Sequence, residues 1–175
     1  LYRAKRPAEA NDYLETAVRY QPHNYEAHFY LGKIHKENQE YRSALSSFER
    51  SAKSQDFKSR ALMERGVCYI KLNEMDRAIS ELERAVKIAS SDPGAGETLY
   101  SRYYLAAAYE QTRSIEPAIE QWEQIYKQRP NFQNVAEKLS QYQDLREDHR
   151  VKDFLTMRQE EFRDTCGAIS RGMGL

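Results

Sequence analysis

At 175 residues the chain has room for one sizeable core or one continuous stack of repeats. Lys plus Arg and Asp plus Glu stand at 27 each, and a net charge of zero exerts no long-range pull on nucleic acid or an anionic membrane. No segment nears the roughly 18 consecutive apolar residues of a membrane span, and 13 Tyr and 6 Phe argue against disorder. The two cysteines, Cys68 and Cys166, make neither a disulfide framework nor a zinc site. Cys68 reads as a small apolar residue on a packed helix. The chain opens on Leu1 without a signal-peptide pattern, which reads as a piece of a longer protein. Its compartment is left open, with the cytoplasm as default.

In chain order, the pattern predicts helices throughout. The first covers about residues 7–19, with Pro7 tolerated in its first turn. Helices at about 24–37 and 41–54 follow, then 58–72 and 75–89. A loop insertion is expected over Ser90–Gly96. A further pair covers about 97–112 and 116–129, with Pro117 suited to a first helical turn. Pro22 and Pro130 mark stops. Asn131 is placed to cap a helix of about 132–147, with Phe132, Val135, Leu139 and Tyr142 on one stripe. In the tail, Thr156 and Gln159 have the form of a capping box. The helix it opens, about 157–171, would carry Phe162, Cys166, Ile169 and Met173 on one face.

A four-residue set recurs along these helices. Gly32, His35, Ala44 and Phe48 return 34 residues on as Gly66, Tyr69, Ala78 and Leu82. They return again 40 residues later as Ala106, Tyr109, Ala118 and Trp122, beyond the insertion. A partial copy, Ala10, Leu14, Ala17 and Pro22, precedes them. A repeat of this length is the mark of a helical solenoid, whose hairpins bury a core only when stacked. Glycine inside a helix costs about 1 kcal/mol relative to alanine, which is tolerated where backbones approach closely. Gly32, Gly66 and Ala106 are therefore expected to face Ala44, Ala78 and Ala118. Phe48, Tyr69, Leu82, Tyr109 and Trp122 would fill the wider gaps.

These residues resemble the tetratricopeptide repeat over about residues 7–130. Leu31-Gly32, His35, Ala44, Phe48 and Ser51 make one copy, with Tyr41 opening the second helix. Gly66, Tyr69, Met75, Ala78, Leu82 and Ala85 make the next. Leu105, Ala106, Tyr109, Ile115, Ala118, Trp122, Ile125 and Pro130 make the third. The resemblance implies an all-α, right-handed superhelix of antiparallel helix hairpins with C-terminal capping helices. The expected division is an array over 1–147 and a helical tail over 148–175. Within the array lie a partial repeat at 1–22, repeats at 25–58, 59–92 and 99–132, and a capping helix at 132–147. In such arrays the first helices line a concave groove that holds a protein or peptide partner. Carried over position by position, the groove would present Phe29, Tyr30, Lys33, Lys36 and Glu37. Next come Arg60, Met63, Glu64, Val67 and Lys71, then Tyr100, Tyr103, Tyr104, Ala107 and Glu110. It reads as aromatic and aliphatic, with charges at its margins. The basic clamp by which some family members grip a C-terminal carboxylate is absent, since Phe29, Lys33 and Glu64 replace its Lys, Asn and Asn.

No catalytic function is expected. His28 and His35 lie two turns apart, about 10 Å along one helix, too far to share a metal, and His35 stands where the repeat has a packing tyrosine. No zinc-protease, phosphate-loop or nucleophile-elbow pattern occurs. No cofactor, metal or nucleic acid is called for, nor direct membrane insertion. The tail from Phe162 to Met173 resembles the opening helix of Mrr-type restriction-endonuclease-like domains, without that family's catalytic motif. Repeats and tail together resemble the helical-repeat proteins of the spirochaete flagellar collar. That would imply flagellar motor partners, a role in motility and a periplasmic site. A regulatory arm of a larger enzyme is the remaining alternative.

Overall fold

A computed structural model describes residues 7–90 and 97–144. The chain divides into two compact units, residues 1–129 and 130–175. In the first unit the described residues form seven helices: α1 (Pro7–Tyr20), α2 (Tyr25–Glu37), α3 (Tyr41–Ser51), α4 (Gln55–Lys71), α5 (Met75–Ala89), α6 (Glu97–Gln111) and α7 (Ile115–Gln128). The fold is all-α. Helices α2/α3, α4/α5 and α6/α7 pack as consecutive hairpins, and α1 packs on α2. The first helices also touch in order, α2 on α4 and α4 on α6. These closer approaches place α2, α4 and α6 on the inner side of the stack.

Each hairpin is closed by the same turn. Gln39, Asn73 and Arg113 have φ of 63°, 60° and 60°, in the left-handed region. Two residues form the turn's signature in each copy: Glu40 N donates to His35 O at 2.8 Å, Glu74 N to Tyr69 O at 2.9 Å and Ser114 N to Tyr109 O at 2.9 Å. This is a Schellman ending, which satisfies the last helical carbonyls. Glycine usually occupies the left-handed position, because a Cβ there is strained. Gln39→Gly is therefore expected to raise stability by up to about 1 kcal/mol, and the melting temperature by about 2–4 °C. Thermal unfolding checks this. α2 also has a side-chain cap, with Asn24 Oδ1 accepting from Ala27 N at 2.9 Å.

The core follows the repeat. Ala44, Phe48, Ala78, Leu82, Ala106 and Ala118 are fully buried, Trp122 is 1% exposed, and Cys68 is buried among them. The atoms nearest each glycine belong to the bulky residue of the second helix. A Cβ on Gly32 would lie 2.7 Å from Phe48 Cε1, and one on Gly66 would lie 2.4 Å from Leu82 Cγ. The small residue makes room for the bulky one a turn beyond Ala44 or Ala78 on the second helix. Tyr69 and Tyr109 are half-buried, and the Tyr109 hydroxyl donates to Glu83 at 2.6 Å across α6 and α5. His35 is half-buried as well, and its Nδ1 lies 2.6 Å from Glu40 Oε2.

In the second unit the chain turns through residues 130–134 and is helical over 135–144. Asn131 is therefore not a helix cap. Gln133 has φ 48°, and Lys138 N donates to Asn134 O, so the helix starts three residues later than expected. Phe132 and Val135 are buried all the same. Most of the insertion (91–96), His149, Cys166 and the expected helix at 157–171 lie outside the described residues.

Candidate functional site: the face of α2, α4 and α6

Side chains three, four and seven residues apart share a face of a helix. Tyr30, Lys33 and Lys36 on α2 therefore line up, as do Met63, Glu64 and Val67 on α4, and Tyr100, Tyr103, Tyr104 and Ala107 on α6. The centre of the face is ionic. Lys33 Nζ donates to Glu64 Oε1 at 2.8 Å, and Lys36 Nζ donates to the other carboxylate oxygen. The Glu64 side chain is 6% exposed, the lysines 27% and 23%. One carboxylate thus ties two cations of the preceding repeat across the α2–α4 seam. The sequence predicts charge at the margins of the groove; the structure puts it in the middle. Glu37 and Lys71 do lie exposed at the edge.

Phe29 is not a groove residue. It is 7% exposed, with ring centroids 5.7 Å from Phe48 and 5.4 Å from Phe57. The Arg60 guanidinium covers this aromatic group, 4.7 Å from the Phe57 centroid and 5.5 Å from that of Phe29. Tyr103 is half committed to packing, edge-on to Trp122 at 5.1 Å and to Tyr104 at 5.8 Å. Tyr30 leans on the Phe29–Phe48 core, and Met63 and Tyr104 lean on Leu82, Leu105 and Ala108. Tyr100 is 46% exposed; Val67, Ala107 and Glu110 are half-buried. The face is therefore an aromatic and aliphatic rim around a Lys–Glu–Lys centre. Spacing alone could have found that centre: two lysines one turn apart on one first helix meet a single acid on the next.

The site and core hold protons tightly at high pH. Burial pushes the Cys68 thiol up to about 11. Burial and the Glu83 bond push Tyr109 up to about 12, and burial with the neighbouring Glu64 raises Tyr104. Burial would lower Lys33, but Glu64 outweighs it and the shift is upward. In each case the unfolded chain loses its proton first. Stability is therefore expected to be intact below about pH 9 and to fall as pH rises toward about 12. Thermal melts across that range check this, and Tyr109→Phe should flatten the fall above about pH 10.

Among the described residues, no group of three His, Cys, Asp or Glu side chains is placed to hold a metal, and no helix is long and apolar enough to cross a membrane.

Residues 1–39 and 31–93 match the tetratricopeptide repeat family. No curated protein matches the chain. Several solved structures share the fold. A MamA RS-1 double mutant is 21% identical, with a TM-score of 0.71 over 85% of this chain and 80% of that one. MamA 41-end from Desulfovibrio magneticus RS-1 is 21% identical, with a TM-score of 0.70 over 94% and 89%. A further MamA crystal structure is 18% identical, with a TM-score of 0.66 over 93% and 88%. At these identities the likeness is one of fold, and nothing in it supports a flagellar collar. The family match spans more than half of the chain and falls on the hairpins whose turns, small residues and bulky partners repeat in register, so the chain belongs to the tetratricopeptide repeat family.

Proposed function

We propose that the α2–α4–α6 face binds an extended or helical segment of a protein partner, and that the chain is a non-catalytic interaction scaffold. The observation that carries this is the rim of partly exposed aromatic and aliphatic side chains, Tyr30, Met63, Val67, Tyr100 and Tyr104, around Lys33, Glu64 and Lys36. Covering four such side chains contributes roughly 1.5–3 kcal/mol each, gross. Association costs of about 4–15 kcal/mol offset much of that, so micromolar affinity is expected for a peptide. Ala107→Arg fills the face without removing a packing side chain, and Ser80→Arg on exposed α5 is its control. Tagged chain should capture a protein set from its native lysate that Ala107→Arg loses and Ser80→Arg keeps. Equal capture by both variants, each with unchanged helix content, would remove the face from consideration.

A second reading is a component of a larger assembly. Tyr13 and Tyr20, two turns apart on α1, are 69% and 81% exposed, which suits an edge-on contact at α1. Tyr13→Lys with Tyr20→Lys would then abolish assembly seen by light scattering and leave Ala107→Arg assembly intact.

A further inference from the structure

On the far side of α2, about 200° around the helix from Lys33, lies a second feature. Val18, His28, Leu31, His35, Ser43, Ser46, Ser47 and Arg50 line a cleft of about 320 Å³ between α1 and α3. No carboxylate lines it. The His28 imidazole is buried at its floor, with Nε2 3.1 Å from Pro22 O. Glu40 is bonded to His35. Among the described residues Arg50 has no ion-pair partner, and no hydrogen bond engages the Ser43, Ser46 or Ser47 hydroxyls.

The next repeat shows what this arrangement lacks. There the equivalent cleft is lined by Tyr69, Asp76, Arg77, Ser80 and Glu81. Arg84, which stands where Arg50 does, reaches Glu81 at 3.2 Å, and Arg65 reaches the same carboxylate at 3.4 Å. Arg77 pairs with Glu74 at 2.8 Å. In the first repeat Ser47 replaces Glu81 and Ser43 replaces Arg77. The first cleft keeps the arginine (Arg50 for Arg84), gains two hydroxyls, and loses one anion and the second arginine.

We propose that this cleft binds the phosphoryl group of a phosphomonoester, with the Arg50 guanidinium and the Ser43, Ser46 and Ser47 hydroxyls donating to its oxygens. An arginine fork pairs with two oxygens of such a group. Three hydroxyls on one helix face supply more donors than the two oxygens of a carboxylate use, which favours a tetrahedral oxyanion. The cleft has more space than a bare phosphate ion fills, so the organic part of an ester has a place beside Val18 and Leu31.

The test is an amide NMR titration of the whole chain at constant ionic strength, with glycerol 2-phosphate, inorganic phosphate and acetate as probes. The proposal expects saturable shifts centred on Ser43, Ser46, Ser47 and Arg50 with the ester, and none with acetate. Arg50→Gln should weaken binding roughly tenfold or more. Ser47→Glu, which restores the second repeat's carboxylate, should abolish it, with the spectrum elsewhere unchanged in both variants. Tighter binding of inorganic phosphate than of the ester supports the same chemistry with the free ion as ligand. Equal shifts with acetate, or unchanged ester binding in Arg50→Gln, overturn the proposal. Arg50 lies exposed on α3 whereas Ser47 is 7% exposed, so Arg50→Gln, whose folding the unchanged spectrum elsewhere reports, decides the proposal should Ser47→Glu fail to fold.

Discussion

Glu64→Ala is expected to destabilise the array by about 2–3 kcal/mol, seen as a fall in melting temperature of about 5–10 °C. The reason is the asymmetry of a buried ionic group. With the carboxylate present, two ammonium groups one turn apart on α2 share one anion across the seam to α4. Without it, two like charges are left side by side, partly desolvated and without their partner. A fully buried pair would lose about 3–5 kcal/mol. The lysines keep about a quarter of their exposure, so part of that loss is recovered by turning them to water. Replacing all three together, Lys33→Met, Glu64→Leu and Lys36→Met, is expected to be neutral or stabilising, since no charge is then stranded. If Glu64→Ala melts with the native chain, the triad is only a surface pair.

Gly66→Val should lose about 2–3 kcal/mol, in the range of overpacked cores. Its Cβ would stand 2.4 Å from Leu82 Cγ and 2.8 Å from Cδ2, and Leu82 is fully buried with no room to retreat. Gain in helix propensity returns only a few tenths of a kcal/mol. Adding Leu82→Ala should relieve the clash, so the double variant loses less than the sum of the two single ones by about 1–2 kcal/mol. Chemical denaturation of the four chains measures the coupling; strict additivity would mean that Gly66 and Leu82 do not share the space described.

Helix positions were legible because the pattern is periodic and the stops are explicit. Tyr41, Met75 and Ile115 open α3, α5 and α7 as expected, and α5 begins and ends on the residues the pattern gives. The turn between helices was not legible in detail. Gln39 and Arg113 adopt left-handed backbone without the glycine that usually announces it. Asn131 misled because a short polar residue after proline suits a turn as well as a cap, and here the turn prevails.

The site was half legible. Family register places residues on the correct helix and near the correct face, but it cannot separate a side chain that leans outward from one that leans into the seam. Phe29 points inward because Phe57 and Arg60 of α4 close over it. The burial of Glu64 is not legible from its position in the repeat, since it depends on Lys33 and Lys36 reaching it across the seam. The cleft at Arg50 had no sequence motif at all. It emerges only when Ser47 and Glu81 are compared at equivalent positions in folded repeats.

Site-specific photo-cross-linking addresses the central claim most directly. A photoreactive residue placed at Val67 or Ala107, on the α2–α4–α6 face, is expected to trap one partner protein in native lysate. The same residue at Ser80 or Ser46, on the second helices, should trap none of it. Adducts forming only from Ser80 or Ser46, with none from Val67 or Ala107, would contradict the account.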